Sequence, residues 1–178
     1  FNFMVIGGDL IDGSAFKIND LYELTKINKP IYFVTGNHEY YVQNYQKHLK
    51  DLKTVGIKTL NNESLKLHGL NLIGLSDNIT NKSKIDYVEK LSQEGLYNLL
   101  IVHKPSIWKK VSNNVNLMLS GHTHNGQIFP FNFVVKLQSH ESRVQDAGIN
   151  STACAVKEGA SVNAAHLIYH ICSIVDPD

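Results

Sequence analysis

The chain has 178 residues, 43% of them hydrophobic, with 16 acidic against 17 basic side chains and a formal net charge of +1. That length suits one domain with a sizeable core, and the near-balance of charge gives no broad pull toward nucleic acid or anionic lipid. No apolar run reaches the roughly 20 residues that a membrane-spanning helix needs; the longest, residues 164–175, is broken by His166 and His170.

In chain order, the run MVIG reads as a short buried strand and leads into Gly8-Asp9-Leu10-Ile11-Asp12. Ile18, Leu21, Leu24 and Ile27 then recur every third residue between a cap at Asn19 or Asp20 and a stop at Lys29-Pro30, which predicts an amphipathic helix. IYFVT is a second strand and runs into Gly36-Asn37-His38-Glu39. A helix follows, with Val42, Tyr45, Leu49 and Leu52 on one face and Gly56 as its end.

From Ile57 the pattern changes to short alternating segments, and Gly69 supplies a turn between Leu65-Lys66-Leu67 and LNLIGLS, which predicts a hairpin ending at Asp77. Ile85, Val88 and Leu91 mark a short helix. LLIV then runs into His103, Pro105 opens a helical turn, and VNLMLS runs into Gly121-His122-Thr123-His124. The expected architecture is α/β, with helices between strands and no internal repeat.

Five apolar runs therefore end in a group that can ligate a metal, at the strand edge where open α/β sheets bind ligands. Carboxylate, amide oxygen and imidazole together suit hard to borderline divalent cations. Taken singly the pieces are weak: Asp9 and Asp12 beside glycine are also ordinary turn chemistry, and a lone histidine such as His103 is more often only hydrogen-bonded. Gly36-Asn37-His38-Glu39 is stronger, and the two histidines of Gly121-His122-Thr123-His124 are the most specific piece. His48 and His68 fall on expected polar faces and read as surface residues. Tyr40, Tyr41 and Tyr45 follow the Asn37-His38-Glu39 loop and are candidates to line a cleft, with helix-face packing an equal option for Tyr45.

The order GDxxD, GNHE, His, GHTH resembles the calcineurin-like metallophosphoesterase family, and GHTHNGQIFPF after GNHEYY looks most like its bacterial, membrane-associated branch. The resemblance covers about residues 3–138. It implies a four-layer α/β sandwich, two β-sheets flanked by helices, with a binuclear centre of two divalent metal ions (manganese, iron or zinc) at the strand ends. Asp9 would bridge the two, Asn37, His103 and His122 would complete one site, and His124 would belong to the other. His38 would be the general acid or electrostatic stabiliser, Glu39 its orienting partner and Asp12 a supporting residue. The implied activity is phosphoester hydrolysis by activated water. The implied substrate is a phosphorylated small molecule or a lipid-linked pyrophosphate, with peripheral membrane association and no nucleic-acid specificity.

The family also carries an Asp-x-His segment on its first strand, which supplies the second metal, and no such segment occurs in this chain. Phe1 stands inside the first expected strand, so we expect the natural start, with any signal peptide or anchor, to lie upstream; the fold is then incomplete at both ends and the second metal site is incomplete. The chain is expected to bind one metal well and the second weakly. Composition divides it into a core, residues 1–138, which the resemblance implies lacks the family's first strand, and an atypical tail, residues 139–178. The tail holds six of the seven alanines, the only arginine and both cysteines. We read it as joined from a different coding context and expect it to pack poorly. The two cysteines leave the redox compartment open. Two other readings stand beside the hydrolase: a phosphoesterase-like scaffold or pseudoenzyme lacking one metal site, and a metal-binding module without chemistry.

Overall fold

The computed structural model describes residues 2–13, 15–67 and 69–122 and the strand at 153–156. Strands β1 (Met4–Ile6), β2 (Ile31–Phe33) and β3 (Ile57–Thr59) form a parallel sheet in the order β1-β2-β3. Strands β4 (Glu63–Leu67), β5 (Leu70–Leu75), β6 (Tyr97–Val102), β7 (Leu117–Ser120) and β8 (Ala153–Val156) form the second sheet in that order. In it β5, β6 and β7 run parallel, while β4 and β8 pair antiparallel at the two edges.

The period-two alternation of side chains decides the layering. Phe3, Val5, Tyr32 and Val34 from the first sheet meet Leu72, Leu99, Ile101, Leu117 and Leu119 from the second in one buried cluster, with Leu60 between them. The alternate residues face outward: Met4, Ile31, Phe33 and Ile57 pack with Ile11, Val42, Leu52 and Val55 under the first set of helical turns. Ile73, Leu75, Leu100, Val102 and Met118 pack with Val88, Ile107 and Val111 of the other set. Helices, sheet, sheet, helices make the four-layer sandwich that the sequence predicts. Gly74 lies on an inward position of β5 where a Cβ would overlap the Leu60 carbonyl, so glycine is what lets the two sheets close on each other there.

Helical segments differ from the expected ones in a physically readable way. Residues Ile18–Lys26 form a 3-10 helix rather than an α-helix; apolar residues spaced by three match the 3.0 residues per turn of that helix, where they align on one side. The predicted helix after Glu39 is broken into a 3-10 turn His38–Tyr41, helix α1 (Tyr45–Asp51) and a 3-10 turn Leu52–Val55. Gly56 ends it in the left-handed conformation, φ 78°, at the cap where glycine is favoured. Helix α2 (Asn81–Leu91) starts where the Thr80 hydroxyl accepts from the Ser83 amide, and Pro105 opens a turn that continues into α3 (Trp108–Val111). Strand β8 falls in the segment 139–178 and pairs with β7 from Ser120 opposite Ala153 to Leu117 opposite Val156. The rest of that segment, the boundary at Gln138, and residues His68 and His124 lie outside the described residues. None of the described helices is long and apolar enough to cross a membrane.

Candidate metal centre

Strands β1, β2, β6 and β7 all point their C-terminal ends at one edge of the sandwich, and each is followed by one candidate ligand. His103 leaves β6 directly and is 1% exposed. Its Nδ1 lies 2.8 Å from the carbonyl oxygen of Gly7; a carbonyl only accepts, so Nδ1–H donates and Nε2 is the nitrogen turned toward the other groups. That Nε2 faces Asp9 Oδ2 at 3.0 Å, Asn37 Oδ1 at 3.1 Å and His122 Nδ1 at 3.1 Å. Asp9, His103 and His122 offer ligand atoms that all lie within 4.8 Å of one another.

Asp9 Oδ2 and Asn37 Oδ1 are acceptors, and with His103 Nε2 and His122 Nδ1 both presenting a lone pair the four atoms repel one another unless a cation sits among them. Ligand atoms held about 2.1 Å from a common cation stand roughly 3 Å apart at the edges of an octahedron, which is the spacing of the other three atoms from His103 Nε2. The donor set fits a divalent metal. Burial first, then the neighbouring His103 and Lys104, holds the His122 pKa below the usual imidazole range, which keeps the ring neutral as a ligand must be.

The backbone is held in unusual shapes to achieve this. Asp9 and His122 adopt the left-handed region, at φ 57° and 67°, a conformation that costs a residue with a Cβ roughly 1–3 kcal/mol and concentrates at functional sites. Gly36 allows the close approach of the two loops, because a Cβ there would overlap the Asp9 carboxylate. Asp9 is fixed at its other oxygen, where Oδ1 accepts from the His38 amide at 3.0 Å.

His38 and Glu39 separate in role. The His38 ring is part-exposed, its Nδ1 stands 2.9 Å from Asp12 Oδ1, and its ring centroid is 5.8 Å from that of Tyr41. The Asp12 hydrogen bond, opposed by burial and helped by the charges of Asp9, Asp12 and Glu39, raises the His38 pKa above the usual imidazole range. Glu39 does not orient His38 as expected from the sequence. It is fully buried and its carboxylate accepts from three backbone amides: Gly36 at 2.6 Å and Asp9 at 3.1 Å on Oε2, and Ile11 at 2.8 Å on Oε1. Glu39 therefore staples the loop after β1 to the loop after β2, and Asp12 takes the orienting place at His38. Burial pushes the Glu39 carboxyl above its usual range against the pull of those three amides.

Asp77, at the end of the fifth apolar run, is not a ligand. Its oxygens pair with Lys84 at 2.8 Å and Lys104 at 2.7 Å. Those ammonium groups overcome burial and hold its carboxyl below the usual range. Tyr40 also turns away from the centre: its hydroxyl joins Thr35 at 2.7 Å and Ser76 at 2.6 Å, tying the ends of the two sheets together, and its ring packs on Tyr45 at 5.0 Å. Tyr41 is 76% exposed beside His38. His48 is half-buried, edge-on to Phe16. The expected second-site ligand His124 lies outside the described residues.

Residues 1–126 match the family described as calcineurin-like phosphoesterase. Among similar proteins is an uncharacterized metallophosphoesterase of Helicobacter pylori, 38% identical over 146 residues, which covers 76% of this chain and 39% of the relative. Another is an uncharacterized metallophosphoesterase of Aquifex aeolicus, 31% identical over 162 residues, with 85% and 60% coverage. A third is a transmembrane protein with metallophosphoesterase domain from Bos taurus, 30% identical over 156 residues, with 75% and 35% coverage. The chain spans about two fifths of the length of the Helicobacter relative.

Proposed function

The chain belongs to the calcineurin-like phosphoesterase family, and on that premise we propose that it is a metal-dependent phosphoester hydrolase that directs water at phosphorus. The observation that supports this most is the convergence of Asp9 Oδ2, Asn37 Oδ1 and His122 Nδ1 on His103 Nε2. Those four residues would hold one divalent cation, and Asp9 with His124 would contribute to a second, weaker site. Manganese, iron and zinc all suit this donor mix. Divalent cations in such a site lower the pKa of water and neutralise charge on phosphoryl oxygens.

The remaining steps belong to the chain. Asp9 is presented in one orientation because the His38 amide fixes its Oδ1. Glu39 keeps the loops after β1 and β2 in register. His38, proton-retaining through Asp12, donates to the leaving oxygen. The substrate is a phosphorylated small molecule or a lipid-linked phosphate reached by peripheral association with a membrane.

Hydrolysis of an aryl phosphate by the full-length protein with added manganese, lost in Asp9→Ala and in His38→Ala, is the expected result. A full-length protein that takes up metal and hydrolyses no phosphate ester would favour the scaffold reading instead.

A further inference from the structure

Strands β5 and β6 are parallel neighbours in which Leu75 stands opposite Val102. Continuing that register brings Asp77 beside Lys104, and Lys104 directly follows the candidate ligand His103. Asp77 and Lys84 are each 3% exposed on their side chains and already form a balanced pair. Lys104 is the surplus cation: its side chain is 36% exposed, and the three groups together carry one net positive charge at the edge of the metal centre. An ammonium has three N–H donors, and among the described residues Asp77 Oδ2 is the acceptor that Lys104 Nζ meets, at 2.7 Å. Lys104 helps Lys84 to offset the burial of Asp77, and its greater exposure leaves it the member of the trio open to a ligand from solvent.

We propose that Lys104 binds a non-bridging phosphoryl oxygen of the substrate, held in place by the Asp77 and Lys84 pair, and selects phosphoryl groups that carry a second negative charge. The proposal rests on the phosphoester reading above. A fixed cation attracts a ligand in proportion to the ligand's charge. It therefore favours a phosphate monoester, or a pyrophosphate whose adjacent phosphorus carries the second charge, over a simple diester with one. Lys104 is a binding and specificity residue, since the bond-breaking proton transfer falls to His38.

The test uses the metal-loaded full-length protein and two readouts. Calorimetric titration with inorganic phosphate measures anion binding without turnover. Turnover of an aryl phosphate monoester, an aryl-capped pyrophosphate and a bis-aryl phosphodiester measures selectivity, and comparison of the first two says where the second charge sits. Lys104→Met should weaken phosphate binding by about tenfold to a hundredfold, as expected for loss of a hydrogen bond to a charged group. It should lower kcat/KM on the two dianionic substrates similarly and on the diester much less. Lys104→Arg should retain most of both, neither change should alter metal content, and Lys104→Met should lower Tm only slightly because Lys84 still pairs with Asp77. Unchanged phosphate affinity and an unchanged substrate ratio in Lys104→Met overturn the proposal, and so does a fall in Tm with phosphate affinity intact, which would mark a purely structural lysine. A wild-type protein that binds metal but hydrolyses none of the three overturns the phosphoester reading as well, so the two failures are distinguishable.

Discussion

The Nδ1–H of His103, at the end of β6, donates to the carbonyl oxygen of Gly7, at the end of β1, across 2.8 Å. One bond thus joins the two sheets and sets the tautomer that aims Nε2 at Asp9, Asn37 and His122. The candidate centre is a product of the sandwich itself, because its ligands come from both sheets.

Metal content should follow that geometry. His103→Ala should reduce the affinity for manganese or zinc by more than about 100-fold, since loss of a partner that merely orients a ligand already costs 10–100-fold. Elemental analysis after dialysis, with titration of the metal-stripped protein, checks this. An unaltered metal content in the variant would mean that the four acceptors do not share a cation. Chelation of the wild type should abolish phosphate ester hydrolysis, and manganese should restore it.

The raised pKa of His38 gives a pH dependence with a definite sign. If the protonated ring donates to the leaving oxygen, kcat falls as pH rises through that pKa. Asp12 is the largest cause of the upward shift, so Asp12→Asn should move the falling alkaline limb to lower pH while leaving metal content unchanged. A limb that does not move would assign the proton donor elsewhere.

Much of this was legible in the sequence because buried strands announce themselves by apolar runs and strand ends by glycine. The runs at 4–6, 31–33, 97–102 and 117–120 needed no tertiary information. Glu39 was misjudged because its partners are the backbone amides of Asp9, Ile11 and Gly36, and a sequence does not advertise which amides lack a ladder partner. The pairing of Lys104 with Asp77, 27 residues apart, depends on the β5–β6 register. A carboxylate ending the fifth apolar run looked like one more ligand for that reason. The helix at Ile18–Lys26 was visible in its apolar spacing, but its 3-10 form was not, although an interval of three suits that tighter helix.

Glu39→Gln should destabilise the protein even though the shape is kept. An amide offers one acceptor oxygen and turns an NH2 group toward a backbone N–H, which leaves at least one buried donor unpaired at a cost of about 1–3 kcal/mol. Urea unfolding should show a lower midpoint with little change in slope. Metal affinity should fall as well, because the released loops carry Asp9 and Asn37. A variant with wild-type midpoint and weakened metal binding would place Glu39 in the chemistry instead of the scaffold.

Acid stability isolates the other buried charge. The folded pKa of Asp77 lies below its ordinary value because the two lysines outweigh burial, so the folded state binds fewer protons than the unfolded one near that range. Its contribution is then fully present above the ordinary carboxylate pKa and is lost as pH falls through the depressed one. Asp77→Asn leaves Lys84 buried without a counter-charge, and removing one partner of a buried pair costs about 3–5 kcal/mol. The gap in unfolding free energy between wild type and variant should therefore be widest near neutrality and should narrow as the wild-type carboxylate is protonated. Thermal or urea melts at a series of pH values measure it. A gap that stayed constant down to strongly acid pH would show that the loss in the variant comes from packing rather than from charge.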